Sequence, residues 1–352
     1  MKCIHIEASG AYDILIGRGL LDRLGQIMAE SVGVCTAAVI ADDTVFSLYG
    51  QRTEQVLRDA GFRVLRFVFP HGEASKTLAT YGSALNMLCR ERMTRSDVIV
   101  ALGGGVVGDL AGFVAATYQR GIRFVQVPTT LLAMVDSSVG GKTAVDLDAG
   151  KNQAGCFHQP SLVLCDPELL ATLPQEQYRC GCAEVIKYGI LGNADFFDRL
   201  MQTPICEQYE QVIEVCVTMK RDYVMADEFD YGRRRMLNLG HTVAHAVESC
   251  SDFGILHGQA VAVGMAVIAR AAAAKGICTE QMRERLLAVL KQYDLPTETE
   301  LPLDALYQAA LSDKKLSGTT MHLIVPEEIG RCRIESIPSN EIRDWMKAGG
   351  IR

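Results

Sequence analysis

Short apolar runs of strand length recur through the first half of the chain, at residues 37–41, 62–69, 98–102, 124–127 and 162–165. Several are separated by stretches whose apolar residues fall at helical spacing, such as 19–29 and 77–92. This alternation predicts α/β layering on a largely parallel sheet. Beyond about Pro174 the texture changes to successive amphipathic segments at 176–190, 208–225, 236–250, 258–274, 279–293 and 303–312, with turn residues between them. These predict helices. A last pair of β-like runs, 321–325 and 331–336, predicts a hairpin turning at 327–330. The expected class is α/β + all-α with two domains, an α/β domain over residues 1–172 and a mainly α-helical one over residues 173–352.

Composition changes this picture little but excludes several functions. The 352 residues are 49% hydrophobic and 22% charged, ordinary for a globular chain of two-domain size. A net charge of −7 argues against nucleic acid or an anionic membrane as the main partner, while an anionic small molecule remains open. The twelve cysteines contain no Cys-x-x-Cys pair, the tightest spacing being Cys180-Gly181-Cys182. The first residues lack the apolar core of a signal peptide, and no apolar run approaches the ~20 residues that span a bilayer. A reduced, cytoplasmic enzyme is expected, with most cysteines serving as small apolar residues.

Three of the seven histidines sit between Gly240 and Gly258, in Gly240-His241-Thr242-Val243-Ala244-His245 and Leu256-His257-Gly258. Imidazole binds transition metals and titrates near neutrality, so the clustering points to a metal or to acid–base chemistry. His241 and His245 are one helical turn apart, without the glutamate of His-Glu-x-x-His; such a pair is also an ordinary helix face. Spacing alone nominates both as metal ligands. On one helix Arg234, Asn238, His241, His245 and Glu248 would share a face, reading as a solvated stripe or as the wall of a polar cleft. Glu184 and Lys187 also share a helical face, either as a surface ion pair or with Glu184 as the carboxylate of a Glu/His/His zinc site.

In the first half, the strand ending at Leu102 runs into Gly103-Gly104-Gly105-Val106-Val107-Gly108-Asp109. A strand, a glycine turn and a helix let backbone amides approach a pyrophosphate, although the spacing departs from Gly-x-Gly-x-x-Gly and a ligand-free tight turn has the same signature. Pro128-Thr129-Thr130 places two hydroxyls at another strand end. Gly140-Gly141-Lys142-Thr143 resembles part of a phosphate loop, but Asp136 stands where that loop needs its first glycine. Lys151 and Asn152 add donors for an anion.

Together these segments resemble the 3-dehydroquinate synthase family, within the sugar-phosphate cyclase superfamily. The matching residues are Gly72-Glu73-Ala74-Ser75-Lys76, 103–113, Tyr118-Gln119-Arg120-Gly121, 127–145, Gly150-Lys151-Asn152, Leu173-Pro174, 183–189, 237–248, His257-Gly258 and Asp313-Lys314-Lys315. They cover nearly the full length in the family's order. The resemblance implies a Rossmann-like NAD-binding domain followed by a mainly helical metal- and substrate-binding domain, with the active site in the cleft between them. It implies zinc or cobalt on Glu184, His241 and His257, which moves His245 from the metal to the substrate side. NAD contacts fall on Glu73, Lys76, Gly104, Gly105, Asp109, Thr129 and Thr130, with Asp42, Leu169 and Thr172 as further matches. Substrate positions are Asp136, Lys142, Lys151, Asn152, Lys187, Lys220, Arg234, Asn238, His245 and Lys314; of these Asp136, Lys142 and Lys151 stand where cofactor and substrate meet. Arg120 is similar to a residue that the family donates across a homodimer interface. Gln259 after His257-Gly258, where glutamate is more usual, and Cys180 and Cys182 depart from the pattern without touching an assigned role.

The implied reaction is the shikimate-pathway step of aromatic amino acid and chorismate biosynthesis. It turns 3-deoxy-D-arabino-heptulosonate 7-phosphate into 3-dehydroquinate and phosphate by transient oxidation, β-elimination, reduction, ring opening and aldol closure. NAD is regenerated, so the class is a lyase. Competing possibilities are an iron- or zinc-dependent alcohol or glycerol dehydrogenase, another sugar-phosphate cyclase, and a metal- or nucleotide-binding regulator on a retired scaffold. Lys142, Asn152, Lys187 and Lys314 argue against the dehydrogenase, and Arg234, Asn238 and Lys314 favour a carboxylated substrate.

Overall fold

Apolar runs such as Val98-Ile99-Val100-Ala101-Leu102 are too short for helices and suit strands covered on both faces, and a sheet forms around them. A computed structural model describes residues 1–251, 254–314 and 319–352, with the side chains of 313 and 314 excepted. Its strands are β1 Lys2–Glu7, β2 Ala11–Ile16, β3 Thr36–Asp42, β4 Arg63–Phe69, β5 Val98–Gly103, β6 Arg123–Pro128, β7 Lys142–Leu147, β8 Gly150–Phe157, β9 Leu162–Cys165, β10 Thr320–Glu328 and β11 Arg331–Pro338. Seven of them form one sheet in the order β1-β2-β9-β6-β5-β3-β4. All its pairings are parallel except β1 with β2. On one face Ala38, Ile40, Ile99 and Ala101 pack under Leu88 of the Leu78–Arg90 helix and Val107, Leu110 and Val114 of the Gly105–Thr117 helix.

The chain separates into two compact units, Met1–Leu173 with Lys220–Phe229, and Pro174–Met219 with Asp230–Arg352. The return of Lys220–Phe229 to the first unit lies outside the sequence expectation. In the second unit the His257–Ala274 helix is buried along nearly its whole length and packs against Gln175–Gly192, His241–Cys250, Glu280–Gln292 and Ile342–Ala348. A helix that is apolar all round belongs at such a centre. Leu303–Lys314 and the β10–β11 hairpin complete the predicted elements.

Two close crossings bring the central helix onto its neighbours. A Cβ at Gly258 would stand 2.3 Å from Cys180 Cα, and one at Gly264 would stand 2.0 Å from the carbonyl oxygen of Gly240. Only glycine permits backbone approach this tight. The structure corrects one expectation. Residues 236–250 do not form one helix: Arg233–Asn238 is a 3-10 turn, Gly240 takes φ +79°, and the α-helix starts at His241. The glycine ends one turn and opens the next. Hairpins β1–β2 and β7–β8, and the helices Gln51–Asp59, Ala194–Gln202 and Ile342–Ala348, add to the predicted elements. All twelve cysteines are free thiols, and among the described residues no helix is long and apolar enough to cross a membrane.

Candidate active site and metal centre

In the second unit Glu184, His241 and His257 converge. Glu184 is fully buried on the Gln175–Gly192 helix. Its Oε1 lies 3.7 Å from His241 Nε2 and 3.4 Å from His257 Nε2, and the three ligand atoms all fall within 4.8 Å of one another. Tetrahedral ligands at the roughly 2.0–2.1 Å of zinc would be about 3.4 Å apart, so the spacing fits a metal with little movement. The two glycine crossings explain the convergence. Gly258 presses the start of the central helix, and so His257, onto the helix of Glu184; Gly240 seats His241 as the first residue of its helix.

Each imidazole is held from behind. His241 Nδ1 meets the carbonyl of Leu239 at 3.1 Å, and His257 Nδ1 meets Glu248 Oε2 at 3.3 Å. With Nδ1 engaged from behind, Nε2 is the nitrogen each ring turns towards Glu184 and the one left to ligate a metal once it gives up its proton. Burial holds the His241 pKa down at about 3 against the pull of Glu184, with Lys187, His257 and His245 adding to the lowering. At His257 burial acts the same way, but Glu184 and Glu248 outweigh it and hold the pKa at about 10. Lys187, one turn from Glu184, is buried and places Nζ 2.5 Å from Glu184 Oε2. The surface-pair alternative for these two therefore fails.

His241 also lines a pocket of about 280 Å³ with Asp230, Arg235, Asn238, Thr242, His245, Thr320, Met321 and His322. The His245 ring stands 5.7 Å from that of His241, outside the three-ligand group. The five-residue stripe is thus divided. Asn238, His241 and His245 face this pocket, Arg234 is buried on the preceding 3-10 turn, and Glu248 is turned to His257. The Lys314 side chain lies outside the described residues.

The first unit holds a second polar constellation. From β3 the chain passes to β4 on one side and then to β5 on the other, so the carboxyl ends of β3 and β5 flank a topological switch point, where open α/β sheets take ligands. Asp42 ends β3 and caps the next turn, accepting from Val45 N at 2.7 Å, and burial raises its carboxyl pKa. Gly104 and Gly105 follow β5 and open the Gly105–Thr117 helix. A Cβ at Gly104 would stand 3.0 Å from Thr130 Cγ2, and one at Gly105 3.2 Å from Ser137 Oγ. The turn is a cradle that side chains would fill, with helix-end amides available to an anion. Thr129 N donates to Gly103 O at 2.9 Å, placing both threonines beside it. Leu169 and Thr172 lie on the Pro167–Thr172 turn, where the Tyr49 hydroxyl donates to Leu169 O at 2.9 Å and stands 2.5 Å from Thr172 Oγ1.

Lys76 centres a nearby cluster. Its buried Nζ lies 3.1 Å from Asp109 Oδ2, 3.1 Å from Glu73 Oε1 and 3.7 Å from Asp146 Oδ1, and it donates to Asn152 Oδ1 at 2.6 Å. Burial pulls the lysine down, but Asp109, Glu73 and Asp146 outweigh it and hold it above its ordinary range. Burial raises Asp109, whereas Lys76 and Lys151 overcome burial and hold Glu73 below the usual carboxylate range. Asn152, at φ +56°, donates its N–H to Asp146 Oδ1 at 2.7 Å. Lys220 donates to Asp136 O at 2.5 Å and stands 2.9 Å from Asp136 Oδ1. Lys142 is exposed at the start of β7, a hairpin strand rather than the helix a phosphate loop would open. Arg120 is exposed on the turn Tyr118–Arg120 at φ +66°.

Asp146 and Glu248 complete these clusters without an assigned role from the sequence. Glu248 shares the helical spacing of the histidines, which was the available signal; Asp146 carries no spacing signal because a hairpin delivers it.

The fold is that of the sugar-phosphate cyclases. It superposes on ValA, a 2-epi-5-epi-valiolone synthase from Streptomyces hygroscopicus subsp. jinggangensis 5008 solved with NAD+ and Zn2+, with a TM-score of 0.89 at 27% identity over 98% of each chain. A 2-deoxy-scyllo-inosose synthase complexed with carbaglucose-6-phosphate, NAD+ and Co2+ shares the fold at TM-score 0.87 and 24% identity, covering 98% of this chain and 99% of that one. Residues 66–180 match the model of the 3-dehydroquinate synthase N-terminal region and residues 181–316 that of its C-terminal region. A 3-dehydroquinate synthase of Streptococcus suis (strain 05ZYH33) is 44% identical over 96% of this chain and 97% of its own length. The chain belongs to the 3-dehydroquinate synthase family.

Proposed function

We propose that this chain is a lyase that converts 3-deoxy-D-arabino-heptulosonate 7-phosphate into 3-dehydroquinate and phosphate, dependent on NAD and a divalent metal, zinc or cobalt. The observation that carries this reading is the convergence of Glu184, His241 and His257 within one unit of a chain 44% identical to a 3-dehydroquinate synthase. The donor set, with its rings fixed from behind, fits such a metal; the glycine cradle at the β3–β5 switch point fits a dinucleotide. When bound, NAD supplies a reversible hydride acceptor, and the metal supplies Lewis-acid polarisation of the hydroxyl being oxidised.

The chain's own residues bind and orient. Gly104, Gly105, Thr129 and Thr130 receive the pyrophosphate region, with Asp42, Leu169 and Thr172 along the rest of NAD. Glu73, Lys76 and Asp109 make further contacts, and Asp136, Lys142 and Lys151 lie where cofactor and substrate meet. Lys220 and Arg234 take the substrate carboxylate. Lys142, Asn152 and Arg120 of the partner subunit in a homodimer take the phosphate, assisted by His245 and Lys314. Asn238 and Lys187 complete the substrate contacts, Lys187 also holding Glu184 in place. The departing phosphate accepts the proton in the elimination, so no dedicated strong base is required.

The test is to incubate the protein with NAD, zinc and the heptulosonate phosphate while following phosphate and dehydroquinate together. Equal release of both without net NADH is expected. Phosphate without carbocycle, or NADH accumulating on a simple alcohol, would overturn the assignment.

A further inference from the structure

We infer that Glu248 is a positioning residue of the metal centre, setting the orientation and donor strength of His257. This rests on the metal site proposed for Glu184, His241 and His257. The two imidazoles of that group are supported differently. His241 is backed by a neutral carbonyl, that of Leu239 at 3.1 Å, whereas His257 is backed by a carboxylate, Glu248 Oε2 at 3.3 Å. Glu248 is 4% exposed, so its contact with the ring is made away from bulk solvent, where a hydrogen bond to a carboxylate is stronger than in water.

Charge explains the asymmetry. The ligand carboxylate of Glu184 is shared with the buried ammonium of Lys187 at 2.5 Å, which offsets the negative charge a divalent cation would find there. Glu248 restores a negative charge one ring away. By accepting from His257 Nδ1 it increases electron donation through Nε2 and fixes the ring plane. His257 needs this support because its side chain is 36% exposed, against 13% for His241, and packing alone does less to orient it.

The test uses the full chain stripped of metal. Zinc dissociation constants are measured by competition with a chromophoric chelator, and the Co2+ absorption spectrum is recorded, for the parent, Glu248→Gln and Glu248→Ala. Glu248→Gln keeps an acceptor for Nδ1 and removes the charge; it is expected to weaken zinc about tenfold, and Glu248→Ala about 10–100-fold. Both should shift the Co2+ bands while NAD affinity stays within twofold of the parent. A His257→Ala, Glu248→Ala double variant should bind zinc no more weakly than His257→Ala alone. If Glu248→Ala folds poorly, Glu248→Gln decides the question by itself. Zinc affinity and Co2+ bands equal to the parent's in the variants would overturn the role of Glu248 alone. A parent that binds neither ion would overturn the metal site itself.

Discussion

Lys76 meets three carboxylates and an amide at once, and what that does depends on which partner is removed. Glu73, Asp109 and Asp146 around one buried ammonium carry more negative than positive charge, so the lysine holds together groups that would otherwise repel. Lys76→Met is expected to destabilise the protein by about 1–3 kcal/mol, the cost of leaving partly buried carboxylates without their cation. Urea unfolding at neutral pH measures it; a loss below about 1 kcal/mol would mean that the cluster relaxes into solvent. The lysine also fixes the Asn152 amide by donating to its Oδ1, which leaves the NH2 end as the one able to donate to a phosphate. The same substitution should therefore raise the KM for substrate as well as weaken NAD.

At the scale of elements, glycine crossings and polar stitches set where functional side chains arrive. Gly258→Ala would drive a Cβ to 2.3 Å from Cys180 Cα, so the two helices must part and carry His257 from Glu184. A loss of about 1–3 kcal/mol is expected for such overpacking, with zinc affinity falling at least tenfold; near-parental zinc affinity would show that the crossing does not set the site. In the sheet, Asp97 Oδ1 accepts from Thr36 N at 2.9 Å and Oδ2 from Thr94 N at 2.6 Å, tying the starts of β3 and β5. Burial opposes its charge, but the Thr94 and Thr36 amides prevail and lower its pKa. The folded pKa is below the unfolded one, so this stabilisation is present above the ordinary carboxylate pKa and disappears as the pH falls through the lowered value. Asp97→Asn should lower stability at neutral pH and flatten its acid dependence, as read by thermal melts through the acid range. Elements with a strong apolar period were legible in the chain, as were the glycine turn after β5 and the Glu184–Lys187 face. The β7–β8 hairpin was not, because Gly150-Lys151-Asn152-Gln153 has no alternating pattern and the strand relies on pairing with β7. The Arg234–Glu248 stripe misled because periodicity counts residues and ignores a residue at φ +79°.

Across the whole molecule, each unit has its own candidate ligand. The glycine cradle and the Lys76 cluster belong to the first unit, and the Glu184–His241–His257 group to the second. Hydrogen exchange should separate them. Zinc is expected to slow exchange within Gln175–Gly192, His241–Cys250 and His257–Ala274; NAD should slow it within Val98–Gly103, Gly105–Thr117 and Glu73–Ser75. At a hundredfold excess over its dissociation constant, either ligand adds about 2.7 kcal/mol to the state that binds it. Zinc protection confined to the first unit would be incompatible with the assigned ligands.

The segment Lys220–Phe229 has a consequence for the order in which the protein is made. It supplies Lys220 to Asp136, and its Glu228 accepts from Ser9 N at 2.8 Å and Gln159 Nε2 at 2.8 Å. A ribosome that has released β9 must still translate residues 174–229 before the first unit can close, a delay of several seconds at ~5–20 residues per second. Throughout that interval Asp136 waits for its lysine, and Ser9 and Gln159 wait for their carboxylate. A fragment ending at residue 173 should be more open to protease within residues 1–173 than one that runs past residue 229, and cutting the gene at the visible texture change would not yield a finished first unit.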